Sequence, residues 1–315
     1  MTLQQLNDVI AIAETGSFHR AAERLYIAQP SLTSAVKELE KELGVILFNR
    51  SGKGTTLTAD GEGFLPYARS VVMQWQNLLD AYGKTGTHRQ KFAVSTQHYS
   101  FAVKAFVELT RLYDVSEYEF AIRETRTGQV IEDVAASRSE IGILYMSDFN
   151  RKVLGRMLSD HGLAFHHLID CRAYVYLWKQ HPLADRAAIT FEDLKAYPCL
   201  CFEQGENSNF YLAEEILSTN EYPRMIKCSD RATMLNLMVG VLGYTLCSGI
   251  ICEELNGNEY RAVPYAEDEE NPNSLMEIGF ICRKNSQFTG VARQYIYELE
   301  RYLYAGKGQE GSIQP

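Results

Sequence analysis

No run in the 315-residue chain approaches eighteen consecutive apolar residues, which excludes a conventional membrane-spanning helix. No G-x-S-x-G, H-E-x-x-H or G-x-x-x-x-G-K-[ST] is present either. The commonest frameworks for nucleophilic, zinc and nucleoside-triphosphate chemistry are therefore missing. Acid-base candidates reduce to His98, His161, His166 and His167, and the last two would point apart on a strand. Neither an enzyme nor a cofactor or metal site is expected. The opening residues Met1 to Gln5 lack a basic stretch followed by an apolar core, so the expectation is a cytoplasmic protein without a membrane partner. Cysteine is absent before Cys171. The seven that follow are odd in number, which points to reduced thiols rather than a disulfide framework. Cys199 and Cys201 form a C-x-C pair inside the apolar run from Tyr197 to Phe202, with no metal-ligand spacing nearby. Buried structural thiols are expected there, with a thiol-redox switch as the alternative.

What is present is ordinary globular composition, 46% hydrophobic and 23% charged, in a length that suits two or three domains. The net charge of −9 has the wrong sign for a nucleic-acid partner, but it is unevenly spread. Between residues 17 and 57, Arg20, Arg24, Lys37, Lys41, Arg50 and Lys53 outnumber Glu23, Glu38, Glu40 and Glu42. The acidity gathers downstream, notably in Glu267-Asp268-Glu269-Glu270.

Leu3, Leu6, Val9, Ile10 and Ala13 recur at three- and four-residue spacing, one face of an amphipathic helix that Gly16 ends. Ser17 caps a second helix from about Phe18 to Leu25, in which the small Ala21 and Ala22 permit a close helix crossing. After Tyr26-Ile27-Ala28, Pro30 falls in the first turn of a third helix, where its missing N–H costs nothing. Leu32, Val36, Leu39 and Leu43 mark the buried face, and Gln29, Ser31, Thr33, Ser34 and Lys37 fall largely opposite. This pattern describes a helix-turn-helix whose small polar side chains reach base edges and phosphates of double-stranded DNA. Val45-Ile46-Leu47-Phe48 reads as a strand, Asn49 to Gly54 as a turn and Thr55-Thr56-Leu57 as the return strand. This hairpin is a wing that sets Arg50 and Lys53 over phosphates. The DNA-binding candidates are Arg20, Gln29, Pro30, Ser31, Thr33, Ser34, Lys37, Arg50 and Lys53.

Thr58 caps a long helix with Asp60 and Glu62 at its positive end. Leu65, Ala68, Val72, Trp75, Leu79 and Tyr82 follow alternating three- and four-residue steps over roughly 36 Å. That reads as a coiled-coil seam, giving a homodimer through Leu65, Ala68, Val72, Trp75 and Leu79. Gly83-Lys84-Thr85-Gly86-Thr87 then forms a polar linker.

The run Phe18-His19-Arg20-Ala21-Ala22-Glu23-Arg24-Leu25 continues through Gln29-Pro30-Ser31-Leu32-Thr33, Leu39-Glu40-Lys41-Glu42-Leu43-Gly44, Leu47-Phe48-Asn49-Arg50 and Leu57-Thr58-Ala59-Asp60-Gly61. It resembles the LysR-type transcriptional regulators without gaps over about 60 residues. Ala28 stands where the family often has a capping serine, and Ser34 where it often has arginine. The resemblance implies a regulator that assembles as a homodimer and homotetramer.

The remainder alternates strand and helix patterns. Lys91 to Ser95, Tyr118 to Arg123 and Ile141 to Tyr145 read as strands around helices carrying Phe101 to Leu109 and opened by Gly128. A second unit from about Leu168 holds strands at Ala173 to Trp178, Leu200 and Tyr244 to Cys247, with helices near Tyr211 to Ser218 and Arg231 to Val239. The strand Glu277 to Cys282 and the helix Val291 to Leu303 are expected to return to the first unit. Ile189-Thr190-Phe191-Glu192-Asp193-Leu194 resembles the same family at the start of its second lobe. The expected fold is thus an N-terminal winged helix-turn-helix with a long linker helix, then a C-terminal α/β two-lobed effector domain resembling periplasmic solute-binding proteins. Its parts are expected at 1–58, 59–87 and 88–305, with lobe I at about 91–166 and 272–305, lobe II at about 167–271, and a disordered tail at 306–315.

Ligands of two-lobed domains lie in the cleft, near strand C-termini and helix N-termini. The effector candidates are Ser95, Thr96, His98, Arg126, Thr127, Gly128, Glu203, Asn207, Ser208 and Ser248. Arg126 suits an organic anion, while Glu203 and Glu206 oppose one, so the charge of the small-molecule effector stays open.

Overall fold

The computed structural model describes residues 1–51, 54–82, 90–113, 117–205, 210–268, 275–284 and 286–304, without the side chains of residues 50, 51, 76, 77 and 80–82. The expectations for Lys53, Asn207, Ser208, the linker at 83–87 and the tail lie outside the described residues, as does the side chain of Arg50. The chain divides into two units, residues 1–90 and 91–315.

In the first unit, α1 (Leu3–Thr15) opens on a reciprocal capping box between Thr2 and Gln5 and closes on Gly16 at φ 63°. Ser17 caps α2 (Phe18–Arg24), whose buried Phe18, Ala21 and Ala22 meet Val9 and Ile12 of α1. The third helix, α3 (Gln29–Leu43), adds Leu32, Val36 and Leu39, all fully buried. No side chain caps α3, because its N-cap is Ala28. The wing is β1 (Phe48–Ser51) paired antiparallel with β2 (Gly54–Leu57). The strand starts three residues later than the apolar run suggested. Glu40 accepts the Leu47 N–H at 2.8 Å and the Phe48 N–H at 3.3 Å, and the Leu47 carbonyl accepts from Thr58 N–H, so residues 45–47 are spent on the helix and not on a ladder.

Thr58 opens α4 (Ala59–Tyr82), its hydroxyl accepting the Gly61 N–H at 3.0 Å. Gly61 is required here, since a Cβ would overlap the Leu47 carbonyl. Pro66 lies inside the helix and removes one rung of its ladder, but the helix continues. The first turns of α4 lie against α1, and Arg69 reaches Glu14 at 3.0 Å.

In the second unit, lobe I is built from β3 (Gln90–Thr96), α5 (Ser100–Arg111), β4 (Tyr118–Glu124), α6 (Thr127–Ala135), β5 (Ile141–Met146), α7 (Arg151–Asp160) and β6 (Leu163–Cys171). Lobe II follows with β7 (Tyr174–Trp178), β8 (Ile189–Thr190), α8 (Phe191–Leu194), β9 (Cys199–Phe202), β10 (Met225–Cys228), α9 (Arg231–Gly240), β11 (Tyr244–Cys247), α10 (Glu253–Asn256) and β12 (Tyr260–Ala266). The chain then returns through β13 (Met276–Arg283) and α11 (Gly290–Tyr304) to lobe I, where the Tyr295 hydroxyl donates to the Ala102 carbonyl of α5.

The lobe I sheet runs β4-β3-β5-β13-β6, with β3 parallel to β5 and β13 antiparallel to both neighbours. The lobe II sheet runs β10-β9-β11-β7-β12-β8. β5 is buried at every position because both its faces are covered. Ile141, Ile143 and Tyr145 pack with Phe101 and Leu109, whereas Leu144 and Met146 pack with Val130 and Leu154.

One expected element is largely absent. Residues 211–218 form a single 3₁₀ turn (Phe210–Leu212) followed by irregular chain, not a helix. The carbonyls of Leu212, Ala213 and Glu215, which a helix would use, are bonded to Thr127 and Tyr145 of lobe I instead.

Candidate functional sites

The outer face of α3 presents Gln29, Pro30, Ser31, Ser34 and Lys37 to solvent, joined by Arg20 from α2, while Thr33 is half-buried at its edge. Arg20 and Lys37 make no ion pair among the described residues, whereas Arg24 and Arg69 are both tied to Glu14. Tyr26, in the turn between α2 and α3, is 96% exposed at φ 55°, an aromatic ring held at the surface by a turn that few non-glycine residues adopt. The polar face therefore has free donors and acceptors, and two free cations.

Part of the seam expected on α4 is used within the chain itself. Leu65 packs on the winged-helix core and Ala68 is buried within its own unit; they serve this domain, because α4 uses its first turns to cover α1. Val72 is half-buried, and Trp75 and Leu79 are exposed. Among the described side chains of α4 the exposed apolar residues are Tyr67, Val71, Trp75, Leu78 and Leu79, a stripe that shares Trp75 and Leu79 with the expected seam.

The interlobe site is built around Gln97, a buried residue just past the end of β3. Its amide nitrogen donates to Thr127 Oγ1 at 2.6 Å, and its oxygen accepts from the Tyr145 N–H at 3.1 Å and the Tyr99 hydroxyl at 3.0 Å. Thr127, at the N-terminus of α6, passes the chain on by donating its hydroxyl to the Leu212 carbonyl at 2.7 Å and its N–H to Gln204 Oε1 at 3.1 Å. The His98 N–H and Nδ1 both meet Glu214 Oε2 at 2.9 Å, and Gln204 donates to Glu214 Oε1 at 3.0 Å. The His98 ring stacks on Phe202 with centroids 3.7 Å apart. Beside it Glu215 accepts the Phe202 N–H at 2.8 Å; burial, and then the charge of Glu214, push its carboxyl up to about 8.

Of the effector candidates, His98 and Thr127 stand at this junction, and Ser248 lines the cavity beside it. Ser95 does not. Its hydroxyl is consumed inside lobe I by Asp133 at 2.6 Å and Ser139 at 2.8 Å. Thr96 is fully buried and donates to its neighbour's carbonyl. Arg126 and Glu203 face each other at 3.7 Å as a half-exposed pair, so each is already matched by the other. Gly128 lies near the Leu212 side chain. Gln97 and Gln204 lie within the stretches that sequence reasoning assigns to the cleft without being singled out, and Tyr145, Glu214 and Glu215 were missed. For the missed residues the signal was the Glu214-Glu215 pair inside an apolar stretch, which reads equally well as the solvated side of a helix.

All seven cysteines are free. Burial raises the Cys199 thiol well above its ordinary value and pushes Cys201 and Cys247 up to about 12. Among the described residues no helix is long and apolar enough to cross a membrane.

Residues 3–62 match the profile of the bacterial regulatory helix-turn-helix proteins of the lysR family, and residues 92–303 match that of the LysR substrate binding domain. The chain is 26% identical over 313 residues to the HTH-type transcriptional activator CmpR of Synechocystis, covering 96% of this chain and 95% of that protein. In fold it is similar to a full-length OxyR variant from Pseudomonas aeruginosa, with a TM-score of 0.61 at 20% identity over 96% of this chain and 95% of that one. Full-length CbnR complexed with its target DNA gives a TM-score of 0.52 at 18% identity, covering 96% of this chain and all of that one. The chain belongs to the LysR family of bacterial regulatory helix-turn-helix proteins, DNA-binding transcriptional regulators with an effector-binding domain.

Proposed function

We propose that this chain is a sequence-specific, ligand-responsive regulator. It binds double-stranded DNA in the cytoplasm as a homodimer joined through α4, within a homotetramer, and it binds its effector without turning it over. The observation that carries the reading is the hydrogen-bonded circuit between the lobes. Gln97, Thr127 and His98 of lobe I are joined to Leu212, Gln204 and Glu214 of lobe II. A small molecule that competes for any of these groups alters how the lobes hold each other, which is the differential contact a ligand needs in order to shift a conformational equilibrium.

Dimerisation is supported by the exposed stripe of Val71, Trp75 and Leu78, an apolar surface of the kind that marks a protein contact. Two α3 helices held by such a contact would read two half-sites. Binding to the gene's own upstream region tests the DNA role: affinity above that for random duplex, falling steeply with salt, is the expected result, and no preference would sink it. Trp75→Glu is expected to turn a dimer into a monomer by sedimentation and to weaken operator binding at the same time.

A thiol-redox sensor on the same frame is the competing reading. The raised Cys199, Cys201 and Cys247 thiols argue against it, since thiolate is the reactive form. Operator binding that changes when peroxide oxidises one of these thiols would revive it.

A further inference from the structure

Beside the His98–Glu214 pair lies a cavity of about 70 Å³, room for roughly five water-sized groups. Its walls include Tyr176 of β7, Met234 and Met238 of α9, Thr245 of β11, and Ser248. Two residues of these walls each carry a polar atom buried without a hydrogen-bond partner: Thr245, 5% exposed, its Oγ1, and Arg231 its Nε. Folds seldom keep such atoms, because each has given up water for nothing. Two of them on one cavity point to a missing occupant.

Charge restricts what that occupant can be. His98 and Glu214 satisfy each other, and Arg231 is paired with Glu124 of β4 and donates to Asn256 of α10. Glu215 and the Cys247 thiol are held neutral by burial near neutral pH. A charged ligand would surrender its hydration here and find no free counter-ion. An apolar molecule would leave both orphaned atoms unmatched.

We infer that the effector is a compact uncharged molecule bearing a hydrogen-bond acceptor, such as an amide, lactone or ketone, seated in this cavity. The acceptor meets the Arg231 Nε–H and the Thr245 hydroxyl, and the apolar body lies among Met234, Met238 and Ile250. This rests on reading the interlobe region as an effector site.

The test takes the full chain and three probes of one carbon skeleton: isobutyramide, isobutyrate and isobutylamine, near neutral pH. Isobutyramide is expected to raise the thermal unfolding midpoint saturably, and the two ions to leave it unchanged. Thr245→Ser keeps a hydroxyl and retains the amide's affinity, whereas the nearly isosteric Thr245→Val weakens it by about fivefold or more. An equal response to either ion overturns the inference. So does undiminished binding in Thr245→Val, or no response to the amide up to about 100 mM, the weak range expected of so small a probe. Operator occupancy measured in parallel separates this from the broader reading. A metabolite that changes occupancy equally in wild type and Thr245→Val removes the cavity but keeps the effector role. Amide binding that depends on Thr245 and leaves occupancy unchanged under every probe keeps the cavity and removes the effector role.

Discussion

The two units treat their polar groups in opposite ways. On α3, Gln29, Ser31, Ser34 and Lys37 are left to water, and among the described residues neither Lys37 nor Arg20 has an anion of its own. Between the lobes, Gln97, Thr127, His98, Gln204 and Glu214 are consumed by one another, and two residues lining one cavity, Arg231 and Thr245, hold orphaned atoms. A surface that reads DNA has to keep its donors free for a partner of fixed chemistry, and solvent occupies them at little cost meanwhile. A ligand site inside a fold has no such neutral occupant, so its groups bond to each other until something displaces them.

The strongest way to sharpen this contrast is to titrate the buried side. The Glu215 carboxyl is raised in the folded state to about 8 from an ordinary 4.5, first by burial and then by the charge of Glu214. Over that window the native state holds a proton that the unfolded chain has released, so Glu215 favours folding below about pH 4.5 and this contribution is lost as pH rises through 8. The decline approaches about 1.4 kcal/mol per pH unit and amounts to a few kcal/mol in all. Glu215→Gln, which keeps the acceptor for the Phe202 N–H, is expected to flatten the decline in denaturant unfolding between pH 5 and 8. A slope equal to that of the wild type would mean the carboxylate is ionised and solvated in the native protein.

The next largest effect separates the two faces of one helix. Leu32 is fully buried, so Leu32→Ala removes core contacts and is expected to cost the first unit about 3 kcal/mol in chemical unfolding. Gln29→Ala, three residues earlier and exposed, is expected to shift stability by less than about 0.5 kcal/mol. It would instead weaken operator binding by roughly 1–3 kcal/mol if the amide reads a base edge. Equal effects of the two variants on folding would erase the division between core and reading face.

Thr127→Val probes the lobe junction at smaller scale. It keeps the volume but strands the Gln97 amide and the Leu212 carbonyl, and is expected to cost about 2 kcal/mol. Amide exchange in residues 212–216 should quicken, since that segment is held by side chains of lobe I and not by a helix of its own. Exchange no faster than in wild type would show the segment to be secured elsewhere.

What could be read in advance follows the same division. The helices of the first unit and the strand at Tyr244–Cys247 are written in local spacing and caps: Thr2 and Ser17 before helices, Gly16 and Gly44 after them, and apolar residues at every third or fourth place. The interlobe junction is written in pairs far apart in the chain, such as His98 with Glu214 or Thr127 with Leu212, and no local rule predicts them. The helix expected at 211–218 failed for this reason, its carbonyls being taken by lobe I. Two of the five residues expected on the α4 seam are taken by a related competition. Leu65 and Ala68 have the correct spacing for a partner chain, but they are buried or packed on their own domain, and the apolar residues left exposed are Tyr67, Val71, Trp75, Leu78 and Leu79 among the described side chains.

The smallest effect concerns the cation that α3 leaves free. Lys37 is exposed and, among the described residues, unpaired, so its removal should hardly touch folding, and as a compact point charge it suits a phosphate better than a base. If it neutralises one phosphate, Lys37→Ala lowers the slope of log affinity against log salt by about 0.9, or about twice that in a dimer, and weakens specific and random duplex alike. Lys195→Ala serves as the control, because that lysine is paired with Glu192 in the other unit and should leave the slope unchanged. A loss in Lys37→Ala confined to one operator, with the salt slope intact, would make Lys37 a reader of sequence and would break the assignment of α3's polar groups into those that position and those that specify.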